Sequence, residues 1–203
     1  MATTLLLICI AATSSSRQGR FPDPGEPLDH GGLRDAAGMA VAARFHDRVH
    51  CSPARAAGET VAAMALTASV EPALADIDHG EWSGLSFAGI DPAALATWLA
   101  DPAGGAPGGE SMPLACQRIG RWMDAIVAQD GPVCAITHPM MVRAALAHAL
   151  GMPFSAALAI DIAPLSRTVL SFNRSWRLQA LEPAISNSVS GAGSVLAVRS
   201  RTR

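Results

Sequence analysis

The chain contains no lysine and no tyrosine, and only 4% of its residues are aromatic. Its basic residues are all arginine, 15 against 17 acidic residues, for a formal net charge of -2. The positive excess that holds a nucleic-acid backbone is missing, so nucleic acid is not expected as a partner. Abundant alanine and the two missing residue types match a GC-rich coding bias and carry no functional weight. Long apolar runs are missing as well: half the residues are hydrophobic, yet no run reaches the roughly 18 that a membrane span needs. A membrane is not expected as a partner either.

Paired cysteines are also absent. Cys9, Cys51, Cys116 and Cys134 are scattered with no C-x-x-C spacing, and each lies in an apolar or strand-like context that suits a reduced, buried thiol. His30, His46, His50 and His148 lack the spacing of metal ligands, so no metal and no cofactor is expected. The apolar opening of the chain lacks a basic n-region, has a short apolar core and carries Ile8, a poor lipobox residue, before Cys9. A cytoplasmic protein is expected.

What is present is a single-domain length, 203 residues, with strand and helix signals in alternation. Residues 5–10 form a short apolar run that ends in Thr13-Ser-Ser-Ser16, a buried strand entering a loop. Residues 48–52, 70–77 and 133–137 read as further strands, and 168–172 with 176–181 as a closing hairpin around Asn173-Arg-Ser175. Helices are expected over 33–45, 56–65, 92–100, 114–128 and 140–150. This order predicts an α/β, three-layer αβα sandwich with a mostly parallel central sheet and functional residues at the carboxyl ends of its strands. One domain over 1–184 is expected, followed by a flexible Ser/Gly-rich tail over 185–203.

Three strand ends carry the polar residues of an anion pocket: Ser52-Pro-Ala-Arg55, Asp76-Ile-Asp-His-Gly-Glu-Trp-Ser-Gly84, and Thr137-His-Pro-Met-Met-Val-Arg143. An arginine at a helix start can hold a phosphate with its guanidinium fork and the helix amides together. His138, at a strand-to-helix turn, stands where a side chain faces a pocket. His79 reads more simply as a loop histidine near the carboxylate segment.

In order and spacing, these segments over residues 4–181 resemble the histidine phosphatase (phosphoglycerate mutase-like) superfamily. The strand-one segment that ends at Thr13 is similar to the family's Arg-His-Gly-(Glu/Ala)-Thr, with Cys9 and Ile10 standing where the resemblance puts the arginine clamp and the nucleophilic histidine. Gly108-Gly-Glu-Ser111 resembles another pocket segment, and Ile136-Thr-His138 the segment of the second histidine. The resemblance implies Asp76 and His138 as catalytic residues, with Arg55, Thr13, Glu110 and Ser111 as ligand-binding ones. It also implies in-line attack of an imidazole on phosphorus, with cations neutralising the oxygens and a carboxylic acid protonating the leaving group.

Ile10 has no lone pair, and Cys9 offers no fixed cation. Cys9 does not open a cysteine-phosphatase loop either, since Ser15 stands at the Cys-x5-Arg spacing and Arg17 comes two positions late. The first expectation is a protein that binds a phosphorylated or carboxylated small molecule without phosphohistidine chemistry. The alternatives are an enzyme reusing Asp76 and His138 as an acid/base pair on a non-phosphate substrate, and a weak residual phosphatase working through water. A homodimer is left open.

Overall fold

A computed structural model describes residues 2–101 and 104–184. Six strands form one sheet in the order β3-β2-β4-β1-β5-β6. β1 (Thr3–Cys9), β2 (Val49–Cys51), β3 (Ser69–Val70) and β4 (Gly131–Thr137) pair in parallel. β5 (Arg167–Asn173) and β6 (Ser175–Glu182) add an antiparallel hairpin beside β1. The sheet is thus mixed, and parallel over the half that leads to the candidate site.

Period-two alternation of continuously apolar strands gives the sheet two buried faces. Leu5, Leu7 and Cys9 of β1, with Val133 and Ala135 of β4, pack on one side against α5 (Met112–Val127) and α6 (Pro139–Leu150). Leu6 and Ile8, with Cys134 and Ile136, point the other way, toward the cluster that holds Ala36 of α2 (His30–Ala37) and Ala56, Ala57 and Val61 of α3 (Arg55–Ala63). Burying each such leucine or isoleucine stabilises the fold by about 1.5–3 kcal/mol. A smaller cluster of Phe21, Trp82, Ile90 and Ala106 lies apart from the two main ones and is packed by Trp98 of α4 (Pro92–Ala100). No helix among the described residues is long and apolar enough to cross a membrane.

The strands and helices stand close to their expected places, with three local differences. The strand expected over 70–77 is cut to Ser69–Val70, because Pro72 lacks the amide a strand ladder needs and starts a 3-10 turn, Pro72–Leu74. The helix expected over 33–45 begins earlier, where the Asp29 side chain accepts from Gly32 N, and ends at Gly38. Residues after Thr13 form a short helix, α1 (Ser14–Gln18), with a reciprocal cap between Thr13 and Ser16. The tail expected over 185–203 lies outside the described residues.

Gly32 sets the approach of α2 to the end of β1. A Cβ built there would stand 2.3 Å from the Ala12 carbonyl oxygen, which also accepts from Asp29 N at 3.0 Å. Backbone rather than a flexible side chain is the obstacle, so relief requires moving a whole segment. Gly32→Ala is expected to lower stability by about 1–3 kcal/mol, read as a shift of the urea midpoint, whereas Gly58→Ala, whose Cβ would meet nothing within 4 Å, is expected to leave it unchanged or raised.

Candidate active site

β4 has parallel partners on both edges, and the register places Cys51 opposite Ile136 and Cys9 opposite Thr137. The next residue of each strand is Ser52, Ile10 and His138, so these three meet at one end of the sheet. The ladder carries on one step past the strands: Ser52 N donates to Ile136 O at 2.9 Å and Ile10 N to Thr137 O at 2.8 Å.

Asp76 reaches this end by a separate route. The Thr137 hydroxyl, fully buried, donates to Leu74 O at 2.7 Å and ties the loop after β3 to β4. Arg118 of α5 then stitches the same loop from the other side, donating to the carbonyls of Pro72, Ala73, Ala75 and Asp76 at 2.8–3.3 Å and to Glu110 Oε2 at 2.7 Å. Gly80 (φ +50°) lets the following turn lie against residues 107–109, where a Cβ would come within 2.2 Å of Pro107 O.

A cavity of about 330 Å³ opens here, lined by residues 22–24, 52–54 and 75–79 together with Ser83 and His138. Its titratable lining is Asp23, Asp76, Asp78, His79 and His138, with no arginine among the described residues. Each aspartate has one side-chain oxygen bound to a nearby amide of its own loop: Asp23 to Gly25 N, Asp76 to Ile77 N and Asp78 to Gly80 N, at 2.7–2.9 Å.

His138 is 3% exposed. Its Nε2 lies 2.8 Å from Ser52 Oγ, and its Nδ1 lies 3.4 Å from Asp76 Oδ2, within ion-pair reach but off the alignment of a hydrogen bond. Ser52 Oγ also accepts from Ala54 N at 3.2 Å, and with its own proton and a second lone pair it can either donate to His138 Nε2 or accept from it, according to the imidazole tautomer. Burial lowers the His138 pKa, with Arg118 acting in the same direction and Asp76 opposing. His79, buried and tilted against Phe21 with ring centroids 4.9 Å apart, is lowered by burial too, against the pull of Asp76 and Asp78.

The structure brings Asp76 and His138 together in the cavity and leaves Arg55, Thr13, Glu110 and Ser111 out of its lining. Arg55 does not line the cavity: its side chain is 58% exposed and its Nε donates to Glu59 Oε1 at 2.8 Å. Helical phase explains this, since Ala56, Ala57, Thr60 and Val61 take the buried side of α3. Thr13 caps α1 and Ser111 caps α5, where its hydroxyl accepts from Leu114 N. Glu110 is held by Arg118. Cys9 is enclosed, its thiol pushed far above the ordinary range by burial, and Ile10 packs half-buried between the two large clusters.

Sequence patterns alone assign no role to Ser52, Asp23, Asp78 or Arg118. Ser52 carries a usable signal, the position directly after β2, whereas the partners of Arg118 lie up to 46 residues away.

A model of the histidine phosphatase superfamily (branch 1) matches residues 5–182. The chain belongs to that superfamily. A bifunctional protein of Mycobacterium tuberculosis is 33% identical over 181 residues, covering 81% of this chain. The chain spans about half (49%) of that relative's length. Among solved structures, a mycobacterial hydrolase superposes with TM-score 0.79 at 24% identity, covering 91% of this chain and all of that one. The alpha-ribazole phosphatase of Shigella flexneri gives 0.79 at 18%, covering 89% and 96%. At such identities the superpositions establish the shared fold.

The packing around the imidazole makes stability depend on pH. His138 has a depressed folded pKa, so below an unfolded value near 6.5 the unfolded chain binds a proton that the folded one refuses. Stability is expected to be complete above about pH 6.5 and to fall as the pH drops from there toward the depressed folded value, with a shallower fall in His138→Gln, read from urea midpoints at pH 7.5 and 5.5. Arg118→Ala, which strands the Glu110 carboxylate and four carbonyls, is expected to cost about 2–4 kcal/mol by the same measurement.

Proposed function

We propose that this member of the superfamily no longer forms a phosphohistidine, and that the cavity uses Asp76 and His138 as an acid/base pair on an uncharged or cationic small molecule. The observation that carries the reading is the cavity lining, with three carboxylates and no arginine among the described residues. Placing an anion about 4 Å from one carboxylate costs roughly 4 kcal/mol at an effective dielectric of 20. A hydrogen bond to a charged group returns only about 1.5–3 kcal/mol, so repulsion wins for a phosphate dianion.

The strand-one position supports the same reading. By the family resemblance, Ile10 occupies the place of the attacking imidazole, and an alkyl side chain cannot bond to phosphorus. Losing such a nucleophile typically removes several orders of magnitude in rate. Burial keeps His138 free of a proton near neutrality, as a base requires, and Asp76 balances the charge it acquires on taking one.

One feature favours the second reading, a binding protein for a phosphorylated or carboxylated ligand. α6 begins directly after His138 and has no side-chain cap, so its first amides and dipole attract anions. A mycobacterial glucosyl-3-phosphoglycerate phosphatase of the same fold, at TM-score 0.76 and 24% identity, is known in complex with VO3.

Isothermal titration of the full chain with inorganic phosphate and vanadate separates the two readings. No heat of binding is expected up to millimolar ligand; micromolar binding of either ion would establish the anion site and overturn the proposal. Restoring the strand-one pair with Cys9→Arg and Ile10→His is expected to leave p-nitrophenyl phosphate hydrolysis at background, because the three aspartates remain and Arg55 stays outside. Sustained turnover by that double variant would count equally against the proposal.

A further inference from the structure

Ser52, His138 and Asp76 stand in the order nucleophile, base and orienting carboxylate. We propose that Ser52 is the attacking nucleophile of an ester hydrolase, acting on a small, neutral or amine-bearing carboxylic ester. The proposal rests on the reading of the cavity as remade for a substrate without phosphate, and it names the bond that is broken.

Geometry supplies the case. The Oγ–Nε2 separation of 2.8 Å is that of a working hydrogen bond, and the Ala54 amide at 3.2 Å fixes the oxygen; with the imidazole proton on Nδ1, the tautomer this mechanism uses, the hydroxyl donates to Nε2. Asp76 Oδ2, 3.4 Å from Nδ1, is within a few tenths of an ångström of the contact that fixes the tautomer; such contacts are often long before substrate binds. Nδ1 is enclosed and has no hydrogen-bond partner among the described residues. Ser52 and His138 both line the cavity and are only 1% and 3% exposed, so the pair is kept from bulk water.

In the first half-reaction the Ser52 hydroxyl gives its proton to His138 Nε2 as Oγ bonds to the ester carbonyl carbon. The bond from that carbon to the alcohol oxygen then breaks, and the alcohol leaves with the proton from Nε2. Water enters as the second reactant: its proton goes to Nε2, its oxygen bonds to the acyl carbon, and the carbon–Oγ bond breaks as the proton returns to Ser52. One ester and one water give one acid and one alcohol. Asp23 and Asp78 set the substrate class, attracting an amine on the ester and repelling a carboxylate. The lowered pKa of His138 agrees with its role as base.

Phenylmethylsulfonyl fluoride, a neutral reagent for activated serines, tests the step on the native full chain. At pH 7.5 a single sulfonyl adduct is expected on the peptide that holds Ser52, forming at least about 100-fold more slowly in His138→Gln and more slowly in Asp76→Asn. p-Nitrophenyl acetate is expected to give a burst of nitrophenol that Ser52→Ala abolishes. If Ser52→Ala does not fold, Ser52→Cys replaces it, with the introduced thiol expected to take iodoacetamide at a rate that His138→Gln lowers. Absence of a Ser52 adduct on the folded protein, or an adduct formed equally fast without His138, overturns the nucleophile. Either result, alongside silent phosphate and vanadate titrations, leaves the acid/base reading of the cavity standing, so the two failures are distinguishable.

Discussion

β4 is paired in parallel with β1 on one edge and β2 on the other, and the site depends on the register of those two ladders. Three chains that leave the sheet at the same level must turn together, which brings Ser52, Ile10 and His138 to one place although they come from segments far apart in the chain. A strand buried on both faces cannot take its register from an apolar/polar alternation, because Val133, Cys134, Ala135 and Ile136 are all fully enclosed. The polar end does that work instead. Slipping β4 by one residue would carry the Thr137 hydroxyl away from Leu74 O and strand a buried donor, a cost of about 1–3 kcal/mol.

The same hydroxyl links the sheet to the carboxylate. Thr137 holds Leu74 of the 72–74 turn, Arg118 grips the carbonyls of Ala73 and Ala75 on either side of that residue, and Asp76 follows directly. The placement of Asp76 against His138 is therefore a backbone matter, fixed by groups that never face the cavity. Arg118 also contributes through space: its charge, like burial, disfavours a proton on His138. A cation outside the cavity lining thus helps keep the imidazole a base.

Much of this was legible in the sequence, for physical reasons that differ by segment. Continuous apolar runs such as 133–137 read as buried strands because few other structures hide every side chain, and Gly151 after an Ala/Leu run stops α6 in the left-handed conformation, φ +62°. The family resemblance gave the order of the segments and picked out Asp76 and His138, which no local pattern joins. Arg55 was legible as an arginine at a helix start, but its direction depends on the phase of α3, and a single turn of helix offers both an inner and an outer side. The acidity of the cavity was legible only at Asp76 and its own segment. Asp23 lies in a Pro/Gly loop that the pattern leaves without a place, and only the fold brings it to Asp76 and Asp78.

Ile10 and the hydrogen bond between Ser52 and His138 belong to one electrostatic situation. Burial and Arg118 both oppose a positive charge on His138, so an anion held through Nε2 would meet a neutral imidazole and would compete with Ser52 for that nitrogen. An arginine at the strand-one position would add a positive charge at this end of the sheet, and the alkyl side chain of Ile10 adds none. A neutral His138 carries its proton on one ring nitrogen and accepts at the other; with the proton on Nδ1 it faces Asp76 and leaves Nε2 to accept from Ser52, the arrangement the serine mechanism uses. Serine, histidine and aspartate thus share one enclosed end of a cavity lined by three carboxylates, where burial disfavours a positive charge on the imidazole.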